Sequence, residues 1–122
     1  MNALFDTNIL IDYLNGIEQA RIELERYERA YISAITWAEV MVGATEENEA
    51  ETRAFLRHFE MVAANEPVME LAVKLRKIQR LRLPDALIWA SAQSLNLLLV
   101  TRNTKDFPHD APGVRIPYQL PG

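Results

Sequence analysis

Four carboxylates stand out in the 122-residue chain because of where they fall against its apolar runs. Asp6 closes the run Asn2-Ala3-Leu4-Phe5, and Glu39 lies among Trp37, Ala38, Val40 and Met41. Asp85 follows Pro84 at the head of an apolar segment, and Asp106 comes shortly after Leu97-Leu98-Leu99-Val100. Carboxylates gathered in a half-buried cleft cannot all stay ionised without countercharge. A hard divalent cation supplies it, since Mg²⁺ takes oxygen ligands and keeps several waters. Such a cation lowers the pKa of a water nucleophile and stabilises charge on a phosphate oxygen, which is the chemistry of phosphodiester hydrolysis. Each acid also has a plainer role. Asp6 suits a helix cap, Asp85 a first turn favoured by the helix dipole, and Asp106 a loop. Glu39 is harder to place, because a carboxylate amid apolar neighbours is costly unless exposed or liganded. Read residue by residue, both interpretations stay open.

Other chemistries are thinner. The chain has no cysteine, which excludes disulfides, thiolate metal sites and a thiol nucleophile. His58 and His109 lack partners at metal-ligand spacing and are read as structural or surface residues. Lys74, Arg76, Lys77, Arg80 and Arg82 crowd the approach to Asp85, while Arg102 and Lys105 flank Asp106. They form either a solvated surface or a phosphate track, with Arg82, Arg102 and Lys105 nearest the acids. The net charge of −4 argues against a broad cationic surface that wraps nucleic acid. It leaves room for a carboxylate site neutralised by metal and flanked by local basic patches.

The elements that would position these acids follow from periodicity. Asn2–Phe5 reads as a buried strand, and Leu10, Tyr13, Leu14 and Ile17 continue at helical spacing, with Gly16 ending or bending the helix. A charged helix over 18–29, a strand at 31–33, a helix over 35–44, a helix over 47–60 and a strand at 61–64 are expected next. Ala54, Phe55, His58 and Phe59 can share one face of the 47–60 helix. Val68, Leu71, Ala72, Leu75 and Ile78 form an amphipathic stripe. Pro84 opens a central helix reaching about Leu95, followed by a continuous apolar strand over 97–100 and a short edge strand at 114–116. Strands alternating with helices predict a single domain over 1–122 with a three-layer α/β/α fold and a mostly parallel sheet. Ligands bind beyond the carboxyl ends of such strands, where Asp6 and Asp106 fall.

The segments around the acids, Asp6-Thr7-Asn8-Ile9-Leu10-Ile11-Asp12, Ala34-Ile35-Thr36-Trp37-Ala38-Glu39-Val40, Leu83-Pro84-Asp85-Ala86-Leu87-Ile88-Trp89-Ala90 and Leu99-Val100-Thr101-Arg102-Asn103-Thr104-Lys105-Asp106-Phe107, together resemble the signature blocks of PIN domains. They most resemble the VapC/FitB branch, the toxin halves of bacterial toxin–antitoxin pairs. That resemblance implies a ribonuclease with an acidic Mg²⁺ or Mn²⁺ site. Asp6, Glu39 and Asp85 match the three core acids and Asp106 the fourth; some relatives place an acid where this chain has Asn103. Thr7, Asn8, Thr101 and Asn103 resemble supporting polar positions that orient a carboxylate or a metal-bound water. It also implies a cognate antitoxin, a small DNA-binding protein whose tail crosses the site, and a homodimer.

Rival readings fit less well. An aspartyl phosphoryl-transfer enzyme built on Asp6 would want an acid two positions on, where Asn8 stands. A receiver-type domain would want paired acids near the first strand. A PIN-like module that binds RNA or protein without catalysis is the remaining alternative, and retention of the three core acids speaks against it. The N-terminal residues lack the basic and apolar regions of a signal peptide, and no apolar run reaches the 18–20 or so residues that span a bilayer. A cytoplasmic protein is expected.

Overall fold

Ala3 and Phe5 face one side of a sheet and Leu4 faces the other, and the chain builds a core on each side. The computed structural model describes residues 2–108 and 110–121. Its strands are β1 (Asn2–Phe5), β2 (Arg29–Ser33), β3 (Glu60–Val62), β4 (Leu98–Val100) and β5 (Val114–Arg115). They form one sheet in the order β3-β2-β1-β4-β5, with every pair parallel. The helices are α1 (Thr7–Leu14), α2 (Glu18–Glu25), α3 (Ala34–Val42), α4 (Glu49–Leu56), α5 (Glu66–Gln79) and α6 (Leu83–Ser94).

Leu4 and Leu99 pack beneath Val68, Ala72 and Leu75 of α5 and Ala86, Ile88 and Trp89 of α6. On the opposite face, Ala3, Phe5, Ile32 and Val100 meet Ile9 and Leu10 of α1, Ala20 of α2, Val40 of α3 and Leu56 of α4. This is the expected α/β/α sandwich. The chain runs outward from β1 through β2 to β3, then returns to lay β4 on the free side of β1. The reversal opens a crevice at the carboxyl ends of β1 and β4, the usual ligand position in such sheets.

The link from β4 to β5 contains turns but no helix among its described residues. Phe107 anchors it, fully buried with its ring edge-on to Trp89, centroids 5.8 Å apart.

Several boundaries move from those read in the sequence. The charged helix stops at Glu25, because residues 29–31 pair with Asn2–Leu4 as a central strand and tertiary pairing overrides local propensity. Leu97 falls outside β4: its N–H caps α6 by donating to Ala92 O at 2.9 Å. Ile78 leaves the buried stripe of α5 and is 64% exposed, since the stripe has rotated off the sheet by the last turn. The helix expected over 47–60 spans only Glu49–Leu56, where Thr52 and Leu56 are buried, Phe55 is half-buried and Ala54 is exposed; His58 and Phe59 lie past its end, exposed and half-buried.

Candidate functional site

Asp6 sits one residue past β1, tied to the neighbouring strand by its N–H donating to Val100 O at 2.9 Å. As the cap of α1 it accepts from Thr7 N at 2.7 Å through Oδ1. Its Oδ2 accepts from Thr101 Oγ1 at 2.7 Å and Asn8 Nδ2 at 3.2 Å. Thr101, fully buried one residue past β4, thus joins the two strand ends. The Asp6 carboxyl is raised to about 6. Burial is the chief cause, the Thr101 and Thr7 bonds pull the other way, and the charges of Asp85 and Glu39 push it further up.

Asp85 occupies the first turn of α6, with Arg82 and Pro84 shaping the helix entry. Among the described residues, its Oδ2 is the one buried side-chain oxygen or nitrogen with no hydrogen-bond partner. Arg82 Nε stands 3.6 Å away, too far for a hydrogen bond. Burial raises the Asp85 carboxyl; Arg82 opposes this, and the charges of Asp106 and Glu39 add to it. The charge of Glu39 thus reaches both Asp6 and Asp85, and that of Asp106 reaches Asp85.

Glu39 is exposed on α3, so the cost of burying it does not arise. Thr7 Oγ1 donates to its Oε1 at 2.6 Å and lies 2.9 Å from Oγ1 of the buried Thr36. Asp106 is half-buried in the β4–β5 link and accepts from Asn103 Nδ2 at 2.9 Å. Asn103 Oδ1 in turn receives the N–H groups of Lys105 and Asp106, each at 3.1 Å. Asn103 N donates to Thr101 Oγ1 at 3.0 Å, so the turn is braced against the same hydroxyl that holds Asp6.

A cleft of about 330 Å³ is lined by Asp6, Glu39 and Asp85 together with Thr7, Asn8, Arg82, Arg102 and Asn103. Asp106, Thr101 and Lys105 stand behind or beside this lining. Among the described residues, no three acidic or histidine side chains already form a ready-made cation cage. Mg²⁺ does not demand one, since it is commonly held by one or two carboxylates and several waters. An unpartnered buried oxygen on Asp85, beside an Asp6 whose proton affinity is raised, is a donor set that fits such a partly hydrated ion.

The basic candidates separate. Arg82 is largely exposed at the cleft, and Lys105 is exposed outside its lining. Arg102 lines the cleft but is held in a fork by Asp12, Nε to Oδ2 at 2.7 Å and an Nη to Oδ1 at 2.9 Å. Arg76 donates to Leu81 O at 2.6 Å. His58 is exposed, its Nδ1 3.2 Å from Phe55 O, and His109 lies outside the described residues. Trp89 is core. Sequence reasoning overlooked Thr36, Asp12 and Tyr118, whose hydroxyl donates to Asp12 Oδ2 at 2.7 Å. The available signal was an acid among Ile11, Leu10 and Ile9 on a helix, which needs a cation nearby if it is buried.

A family model described as the PIN domain matches residues 3–110. Among solved structures, a toxin–antitoxin complex from Klebsiella pneumoniae contains a chain 48% identical, with TM-score 0.92, covering 97% of this chain and 99% of that one. FitAcB from Neisseria gonorrhoeae is 25% identical, with TM-score 0.81 and coverages of 98% and 100%. DNA-bound VapBC from Salmonella typhimurium is 25% identical, with TM-score 0.78 and coverages of 94% and 96%. A comparison with curated proteins returned no match.

Proposed function

This chain belongs to the PIN domain family, and we propose that it is the nuclease toxin of a toxin–antitoxin pair, hydrolysing RNA with Mg²⁺ or Mn²⁺ bound at its acid cluster. The observation that carries this reading is the unpartnered, buried Oδ2 of Asp85 in a cleft shared with Asp6 and Glu39. Asp6 and Asp85 would hold the cation, with Glu39 and Asp106 completing its surroundings directly or through water. When bound, such an ion supplies Lewis acidity toward a phosphate oxygen and lowers the pKa of water. The chain's own groups do the rest. Thr101 and Asn8 fix the Asp6 carboxylate. Thr7 fixes one oxygen of Glu39 and leaves the other to accept a hydrogen from water in the cleft. Asn103 orients Asp106, and Arg82 at the rim meets the phosphate backbone.

The relatives solved as toxin–antitoxin complexes support an antitoxin partner for this chain. Its tail would lie across the acid cleft and offer an arginine to it. Tyr13 and Leu14, 37% and 43% exposed, supply apolar surface for such a partner or for a second copy in a homodimer. No helix among the described residues is long and apolar enough to cross a membrane. We place the protein in the cytoplasm, where RNA and antitoxin are made.

The test is cleavage of a mixed RNA pool by purified protein in Mg²⁺ or Mn²⁺ against EDTA, beside Asp85→Asn. Metal-dependent cutting that the variant lacks is the expected result. A folded, partner-free protein that leaves every RNA intact would point instead to a module that binds without cutting.

A further inference from the structure

Two arginines line the acid cleft, and they are held very differently. The Arg82 side chain is 78% exposed, and among the described residues its nearest charged partner is Asp85 at 3.6 Å. The Arg102 side chain is 29% exposed and locked by Asp12, an acid only 4% exposed within α1. Tyr118, from the segment after β5, donates to the same Asp12 oxygen that receives Arg102 Nε. A guanidinium carries five N–H donors. Asp12 takes one from Nε and one from an Nη, which leaves three N–H groups on a planar fork fixed at the wall of the cleft. The backbone N–H of Arg102 donates to Asn8 Oδ1 at 3.2 Å, and Asn8 Nδ2 reaches Asp6 Oδ2. The arginine and the catalytic carboxylate are therefore set by one continuous network.

We propose that Arg102 is a pre-organised phosphate clamp for the RNA strand, and that Asp12 and Tyr118 are positioning residues that hold its guanidinium at the cleft. The proposal rests on the nuclease reading above and names how that site grips its substrate. A surface salt bridge alone would not need a buried acid, a third partner from the far end of the chain and a place in the cleft wall. Locking the side chain beforehand removes the rotamer entropy that a free arginine loses on binding phosphate.

The sign of one substitution separates this from general electrostatics. Removing an acid near an RNA cleft reduces repulsion and should tighten binding, whereas removing the acid that positions the clamp should weaken it. The experiment measures binding of a short fluorescein-labelled single-stranded RNA by anisotropy in EDTA, with gels to show it uncut, and KM and kcat for cleavage in Mg²⁺. Arg102→Gln should weaken binding and raise KM by about tenfold, the size of one charge-assisted hydrogen bond. It should also flatten the plot of log affinity against log salt by about 0.7, one phosphate's share on a single strand. Asp12→Asn and the milder Tyr118→Phe should each raise KM several-fold with kcat less affected, although Asp12→Asn makes the protein less negative. Thermal melts accompany every variant. Variants that melt lower but keep the parental KM and salt slope would reduce the trio to a staple between α1 and the C-terminal segment. Tighter binding by Asp12→Asn would overturn the clamp while leaving a nuclease that Asp85→Asn still silences. A parent protein that neither binds nor cuts RNA would overturn both readings.

Discussion

Asp6 shows at the scale of one side chain what the site demands of the fold. Its carboxyl is raised to about 6 in the folded chain, chiefly by burial, from an ordinary 3.8. A group that binds protons more tightly when folded destabilises the fold once ionised, so its penalty appears as pH climbs from about 4 to about 6 and is constant above. Asp85 is shifted in the same direction. Protein stripped of metal should therefore gain stability between pH 7 and pH 5, on the order of 1 kcal/mol from Asp6 alone, and further as pH falls toward 4. Asp6→Asn should flatten that part of the profile, which thermal melts in EDTA across pH will show. A divalent cation should produce the opposite trend, stabilising more at pH 7.5 than at pH 5.5 because protons compete for the same oxygens. Much of this was legible in the sequence. An acid just past an apolar strand, followed by Thr7 and Asn8, already reads as a cap beside a site. The third partner was legible only through the family resemblance, which named Thr101 as a supporting position: it lies 95 residues away, and no local pattern says which hydroxyl closes the bond.

The helices reveal which parts of the fold are dictated by their own sequence. Asn65 caps α5 by accepting from Val68 N at 3.1 Å, and Pro67 stands in the first turn, so the start of that helix is locally encoded. Its end is not. Arg80 closes α5 in the left-handed region with φ 58, where a residue with a Cβ carries strain. Arg80→Gly should raise stability by about 1 kcal/mol and Asn65→Ala should lower it by about the same, both readable from urea midpoints at unchanged slope. The start of β2 was illegible for a related reason. Arg29 and Ala30 follow a charged helical stretch and become strand only because β1 lies beside them. Apolar periodicity found every element, while pairing with distant strands decided where several of them begin.

Across the whole molecule, α2 and the edge strand β5 are clamped together by Arg115, whose Nε donates to Glu23 Oε2 at 2.7 Å. Glu23 is 3% exposed; burial pulls its carboxyl upward, but Arg115 and Tyr27 outweigh that and hold it below the ordinary range. Arg115→Met would leave the buried Glu23 with only the Tyr27 hydroxyl and the exposed Arg26 3.7 Å away, and should cost on the order of 2–3 kcal/mol, measured by chemical denaturation. The global layout follows from the sheet order, in which β1 sits at the centre between β2 and β4. That placement also governs timing. Asp6 is synthesised well before the hydroxyl that fixes it, which arrives 95 residues later. A nascent chain that has not yet released β4 has no second wall for the cleft and no Thr101 on which to set the carboxylate. The cleft can therefore be completed only after β4 has emerged, so the order in which the chain is made delays the assembly of its acid cluster.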